Sequence, residues 1–333
     1  MDRDGWAVDI LRGIMSQPEK ISSPKKTDSP GRLFAVVAVM VALIAVPAAL
    51  TLHTVTAPAV IDPRIVNPSP HGYTISLLLF LFPIAALLLW LFPREGVHLH
   101  KRSFLWTIAL LFPVGAALDF FFAHLFFTYG NRAATLGITA PALGGGVPLE
   151  EYVFYLAGFV ADLLFYIWLD AYWLAAYSVP VKRRMDFERL LRFHPWSLVW
   201  AALLIGAALI YRFAFVPEQG FPGYFIFLVL AAMLPSAALL PEAMPVINWR
   251  AFSLALFLIL LISLIWEVTL GLPYHWWGFQ PGQMIGISIT AWSYLPLEEI
   301  CVWITVTYAT VIFYEIIRRW KLSGRTAKRA FLG

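Results

Sequence analysis

Apolar positions in this chain fall in long runs separated by short polar or basic segments. A helix crosses the hydrocarbon of a bilayer in about 20 apolar residues. Eight runs qualify: Leu33–Leu52, Thr74–Phe92, Phe104–Phe127, Leu149–Tyr177, Trp196–Phe215, Gly223–Leu240, Phe252–Leu272 and Leu297–Trp320. The pattern predicts an all-α integral membrane protein with eight transmembrane helices. The expected organisation is a polar tail (1–32), a first four-helix half (33–177), a basic loop (178–195), a second four-helix half (196–321) and a basic tail (322–333). The 32 polar residues before the first run are too long a leader for a cleaved signal peptide.

Basic residues give the runs a direction. Of the 24 Lys and Arg, 21 lie in segments that an even number of crossings places on one side, leaving Arg64, Arg132 and Arg212 for the other. By the positive-inside rule both termini are expected in the cytoplasm, with the chain in the cell (inner) membrane. Composition agrees. The chain is 60% hydrophobic and only 13% charged, with mean hydropathy +0.75. Soluble domains carry about 25% charged residues, so an ordinary water-soluble enzyme is excluded. The single cysteine, Cys301, excludes an internal disulfide, and no Cys/His cluster has zinc spacing.

The chain also repeats itself. Gly146-Val147-Pro148-Leu149-Glu150-Glu151 recurs 148 residues later as Tyr294-Leu295-Pro296-Leu297-Glu298-Glu299, and at the same offset Asp119 falls on Glu267. Leu136-Gly137-Ile138 and Ile285-Gly286-Ile287 match with one further gap. The repeat cores cover 71–177 and 219–321. Four spans separate equivalent positions, so the repeats are expected to run parallel, with a shared site near their interface.

The acids in this pattern are the candidate chemistry. Asp119 lies 15 residues after Phe104, about 22 Å into its span at 1.5 Å per residue. Glu150 and Glu151 open the next span from the outer side, so each repeat can bring a mid-helix acid toward a carboxylate pair. Pro followed by Glu is also ordinary helix-start chemistry, favoured by the helix dipole. The mid-helix acids weigh more, because a carboxylate at a helix centre costs roughly 2.5–3.5 kcal/mol on insertion scales. Neither Asp119 nor Glu267 has a base in its own span. Asp170 and Glu315 are expected at the cytoplasmic interface, and Asp162 has Arg212 as a candidate partner.

Trp266-Glu267, Tyr274-His275-Trp276-Trp277-Gly278-Phe279, Gly286-Ile287 and Leu295-Pro296-Leu297-Glu298-Glu299 together resemble the lycopene cyclase domain of heterodimeric bacterial cyclases. The same domain occurs duplicated in the fungal bifunctional cyclase–phytoene synthase. Pro148-Leu149-Glu150-Glu151-Tyr152-Val153-Phe154-Tyr155 is similar to the motif of the partner subunit. The first repeat departs from the pattern, with Phe127-Thr128-Tyr129-Gly130 where the second has His275-Trp276-Trp277-Gly278.

The resemblance implies a redox-neutral cyclisation of lycopene to β-carotene type product, started by an acid and ended by a base. Glu150, Glu151, Glu298 and Glu299 are then the candidate acids, with Asp119 and Glu267 as their partners. Phe154, Tyr155, Trp276, Trp277 and Trp303 are the candidate cation stabilisers. The expected substrate is an apolar polyene from the bilayer, with membrane lipid around it, no cofactor, no metal, no nucleic acid and no obligatory partner subunit. The alternatives are another enzyme acting on terpenoid double bonds and a proton-coupled transporter. A retinal photoreceptor would need a lysine within a span, and all seven lysines are expected in tails or loops.

Overall fold

In a computed structural model the chain is described at residues 69–93, 100–192 and 194–333, with three isolated positions before them. The expected span Leu33–Leu52, the tail 1–32, Arg64 and Arg94 lie outside the described residues. Of the described residues 71% are helical. Among the described residues six helices are long and apolar enough to cross a membrane: α1 (Gly72–Leu91), α2 (Lys101–Phe126), α3 (Leu149–Trp173), α5 (Pro195–Phe215), α8 (Trp249–Gly271) and α9 (Leu297–Ser323). Shorter helices are α4 (Val181–Met185), α6 (Gly223–Ala237), α7 (Leu240–Ala243) and α10 (Ala327–Phe331). Large apolar side chains stand outward along the long helices, with Phe82 77% and Leu89 73% exposed on α1. A water-soluble protein rarely shows so much contiguous apolar surface. A lipid-facing belt accounts for it.

Helix boundaries follow local chemistry. Asn248 caps α8 by accepting from the Ala251 N–H at 3.3 Å, and His100 does the same for Ser103 at the start of α2. Pro148 and Pro296 precede α3 and α9, each with two glutamates in the first turn. Gly324, at φ 64°, ends α9 in the left-handed conformation that other residues adopt at a cost. Three expectations need correction. The run to Tyr177 is a helix only to Trp173, where a π-helical turn (Leu169–Trp173) gives way to a 3-10 turn (Ala175–Tyr177). The run Gly223–Leu240 stops at Ala237 and carries a π-helical turn at Val229–Met233. Its 15 residues rise about 22 Å, short of a hydrocarbon core of about 30 Å. Lys101 opens α2 and Lys321 sits in the last turn of α9, so these lysines stand at helix ends rather than in loops.

Helices α3 and α9, which carry the two Pro-Leu-Glu-Glu motifs, pack on each other at the centre. Helix α3 also touches α1, α2 and α8, while α9 touches α2, α6 and α8. Helix α5 packs against α6 at the side. At the end where α2 and α8 finish, a two-stranded antiparallel pair joins β1 (Phe127–Thr128) to β4 (Gly278–Phe279), with Phe127 opposite Phe279. Two further hairpins lead into the central helices: β2 (Thr139–Ala140) pairs with β3 (Val147–Pro148), and β5 (Ser288–Ile289) with β6 (Leu295–Pro296). Each is preceded by a glycine at positive φ, Gly137 at 76° and Gly286 at 95°, where a Cβ would be strained.

The opposite end of the bundle is ionic, and there Asp170 and Glu315, expected at the cytoplasmic interface, are enclosed by protein. Asp170 is 4% and Glu315 0% exposed. Arg184 pairs with Glu315 and, at 3.8 Å, with Asp170, while Arg318 lies 3.5 Å from Glu315. Arg319 reaches Glu242 at 3.0 Å, and Tyr166 donates to Glu315 at 2.9 Å. Each of these buried acids thus has an arginine within ion-pair distance.

Candidate functional site

The two glutamates of each motif do different things. Glu150 and Glu298 turn back to the loop that precedes the hairpin. Glu150 accepts from the Leu136 N–H at 2.8 Å and from the Thr74 hydroxyl at 2.5 Å, and Glu298 accepts from the Ile285 N–H at 2.5 Å. The next strand contact is matched too, Leu149 N–H to Ile138 O and Leu297 N–H to Ile287 O, both at 3.0 Å. These first glutamates tie a loop to a helix start. Both are buried, and neither is among the described residues that line the chamber formed by their neighbours.

Glu151 and Glu299 face inward. They line a small chamber of about 70 Å³, together with Glu267 and a wall that includes Phe154, Tyr155, Trp277 and Trp303. Among the described residues no Lys, Arg or His lines it. Each inward glutamate meets the mid-helix acid of its own half and a tyrosine. Glu299 and Glu267 are in hydrogen-bonding reach of each other. A bond between two carboxyls requires that one of them carries the proton. Tyr224 donates to Glu299 at 3.1 Å, and the Trp303 indole N–H donates to Glu267 at 2.8 Å. In the first half the Tyr73 hydroxyl reaches Glu151, and Tyr155 donates to Asp119 at 3.4 Å. Asp119 stands behind this wall and does not line the chamber itself.

Several carboxyl oxygens are left over. One oxygen each of Asp119, Glu151 and Glu267 is buried without a hydrogen-bond partner, as is the Tyr129 hydroxyl. Tyr129 sits in the loop after β1, where burial, and then the neighbouring Glu151 and Asp119, hold its hydroxyl well above the usual phenol range. The hydroxyl therefore stays protonated and can donate into the acid cluster. Glu150, Asp162 and Glu298 each keep one unpaired buried oxygen as well, so an unpaired oxygen alone does not set the inward acids apart.

The halves differ in one respect. Glu267 begins a π-helical turn (Glu267–Gly271) at the end of α8, whereas Asp119 lies in unbroken α-helix. Single π-helical turns re-aim a side chain and recur at functional sites. Here Glu267 reaches the chamber and Asp119 does not.

Among the candidate aromatics, Phe154, Tyr155, Trp277 and Trp303 line the chamber. Trp276 does not. It is 3% exposed, donates to the Ser69 hydroxyl at 3.1 Å and stacks on Tyr73 with centroids 5.7 Å apart. Its place is to support Tyr73. Asp162 is not paired with Arg212 either: Asp162 accepts from Thr307 at 3.3 Å, while Arg212 donates to the Gln219 carbonyl at 3.1 Å.

The sequence reading missed Tyr73, Tyr224, Tyr129 and Trp266. A signal for the first two exists, since Gly72-Tyr73 recurs as Gly223-Tyr224 in the first turns of α1 and α6. A dipeptide at an offset of 151 rather than 148 does not stand out in an apolar chain. Set against known proteins, the chain matches no family model, no curated protein and no solved structure, so the chemistry of this site is read from its own residues.

Proposed function

We propose that this protein is a membrane enzyme that cyclises the ends of an acyclic polyene by acid–base catalysis, lycopene to β-carotene type chemistry being the case that the motif resemblance implies. The observation that carries this reading is the Glu267–Glu299 carboxyl pair, free of basic neighbours, in a chamber walled by aromatic rings. A carboxylic acid that keeps its proton in an apolar site can protonate a carbon–carbon double bond. The resulting tertiary cation is attacked by a nearby double bond, which forms the ring carbon–carbon bond and moves the charge into the ring. A carboxylate then removes a proton from the adjacent carbon. One proton enters and one leaves, with no net oxidation and no cofactor required. The faces of Phe154, Tyr155, Trp277 and Trp303 would lower the energy of the cation.

In this reading the chain has eight spans in two parallel repeats, the short α6 crossing only together with α7, which continues it to Ala243, and both termini are cytoplasmic in the cell membrane. The matched contacts of α3 and α9 and the paired roles of Glu150 with Glu298, Tyr73 with Tyr224 and Tyr155 with Trp303 support a duplication. Because both halves contribute to one chamber, a partner subunit is not needed. A proton-coupled transporter is the second reading, favoured by Asp162, a buried acid bonded to Thr307 further along α3.

Expression in a lycopene-accumulating host, followed by pigment analysis, tests the proposal. Cyclic product is expected with the native chain and not with Glu299→Gln at matched membrane level. A host that stays purely acyclic with the native chain overturns it.

A further inference from the structure

A second cavity of about 440 Å³ lies between α1, α3 and α8. Ser263 contributes the one polar side chain among its lining residues, and the rest are aliphatic or aromatic. Leu79 and Ile262 line it and are also 70% and 36% exposed, so it opens on the lipid-facing surface. Four residues line both this slot and the acid chamber: Phe154, Gly158, Trp266 and Trp303. The two spaces therefore lie on either side of this shared wall.

Three members of that wall are held in place. Phe154 lies 5.5 Å from Trp266 and 5.6 Å from Trp303, the latter edge-on. The Trp266 indole donates to Ser76 at 2.6 Å, and that of Trp303 to Glu267 at 2.8 Å. The fourth member has no side chain. A Cβ built on Gly158 meets nothing within 4 Å, so close helix packing, the usual reason for glycine in a membrane helix, does not require it. The position 148 residues further on is Val306, which lines the chamber. Helix α3 is bare at the point where α9 carries a branched side chain.

We propose that Gly158 is a specificity-determining residue that keeps open the passage from the slot to the acid chamber, admitting one end of a linear apolar chain while the remainder rests in the slot. The occupant is a linear hydrocarbon polyene, because the slot offers polar substituents almost no partner and its mouth faces lipid. The polyene's identity rests on the function proposed above. The passage itself rests on the two cavities and the bare glycine.

The test is the series Gly158→Ala, Gly158→Val and Gly158→Phe, with lycopene as the probe. Conversion is read in the accumulating host, and binding is read as tryptophan quenching of the detergent-purified protein, since Trp266 and Trp303 stand at the rim. Gly158→Ala should stay near the native chain, and Gly158→Phe should lower conversion and binding by about 10–200-fold at unchanged membrane level. Glu299→Gln should abolish conversion and keep binding. Native-like conversion and binding by Gly158→Phe would overturn the passage. If the native chain binds lycopene, loses binding on plugging and yields no cyclic product, the passage stands and the cyclase reading falls. If the native chain neither binds nor converts lycopene, both fall. Should Gly158→Phe fail to accumulate, Gly158→Val is read in its place with the same outcomes.

Discussion

At one end of the bundle Asp170, Glu242 and Glu315 are each matched by an arginine; at the other, Glu151, Glu267 and Glu299 face a chamber that no basic residue lines. Both groups sit on the central helices and their neighbours, and every one of the six is buried. Their surroundings separate them. Arginines stand against the inner carboxyls, and that attraction offsets the cost of taking the paired groups out of water. The outer carboxyls have only hydroxyl, indole and carboxyl neighbours, with oxygens left unpaired. A carboxyl in that setting can hold and release a proton, and one locked to arginine cannot. Burial of an acid is therefore no guide to its role until its partner is known.

The comparison can be broken first at the outer end. Replacing Glu299 by Gln keeps its shape and its bond from Tyr224 but removes the transferable proton. General acid catalysis contributes about 10²–10⁴-fold, so conversion of lycopene should fall by that much at unchanged thermal stability. Near-native conversion would return the outer acids to a structural role.

At the inner end the same kind of change should act on folding. Arg184→Met leaves Glu315 buried without its main partner, a loss of about 3–5 kcal/mol. The variant should show a lowered melting temperature in detergent and reduced membrane level. A stable Arg184→Met variant would mean that the inner acids are not held by their arginines.

Tyr224→Phe sharpens the contrast within the outer site. It removes one donor to Glu299, worth about 0.5–1.5 kcal/mol, and should lower conversion by up to about tenfold. Tyr73→Phe, beside Glu151, provides the matching measurement in the first half. Unequal effects would identify the half that performs the chemistry, and the larger loss is expected from Tyr224→Phe, because Glu267 reaches the chamber and Asp119 does not.

The smallest effect belongs to Glu298→Gln. An amide oxygen can still accept from the Ile285 N–H, and the lost dipole interaction is about 0.3–1 kcal/mol. Conversion should stay within a few-fold of native. A loss as large as that of Glu299→Gln would overturn the division of labour between the two glutamates.

The long apolar runs suffice to place α1, α2, α3, α5, α8 and α9 within a few residues, because a helix that must satisfy its own backbone in lipid needs an uninterrupted apolar stretch. Of the acids that the doubled Pro-Leu-Glu-Glu and the mid-helix pattern single out, Glu151, Glu267 and Glu299 line the chamber, and Glu150, Glu298 and Asp119 do not. A run of hydropathy carries no information on where a helix slips into a π-helical turn, so the shortness of α6 and the re-aiming of Glu267 appear only in three dimensions. Nor can adjacent glutamates be told apart by type. Glu298 and Glu299 point about 100° apart around their helix, and only the packing of α9 against α6 and α8 decides that one meets a loop N–H while the other meets Glu267. The same holds for Asp170 and Glu315, whose arginine Arg184 comes from a separate short helix, α4. Partner identity across helices is a property of tertiary packing, and for a buried acid the partner decides whether its proton is fixed or free.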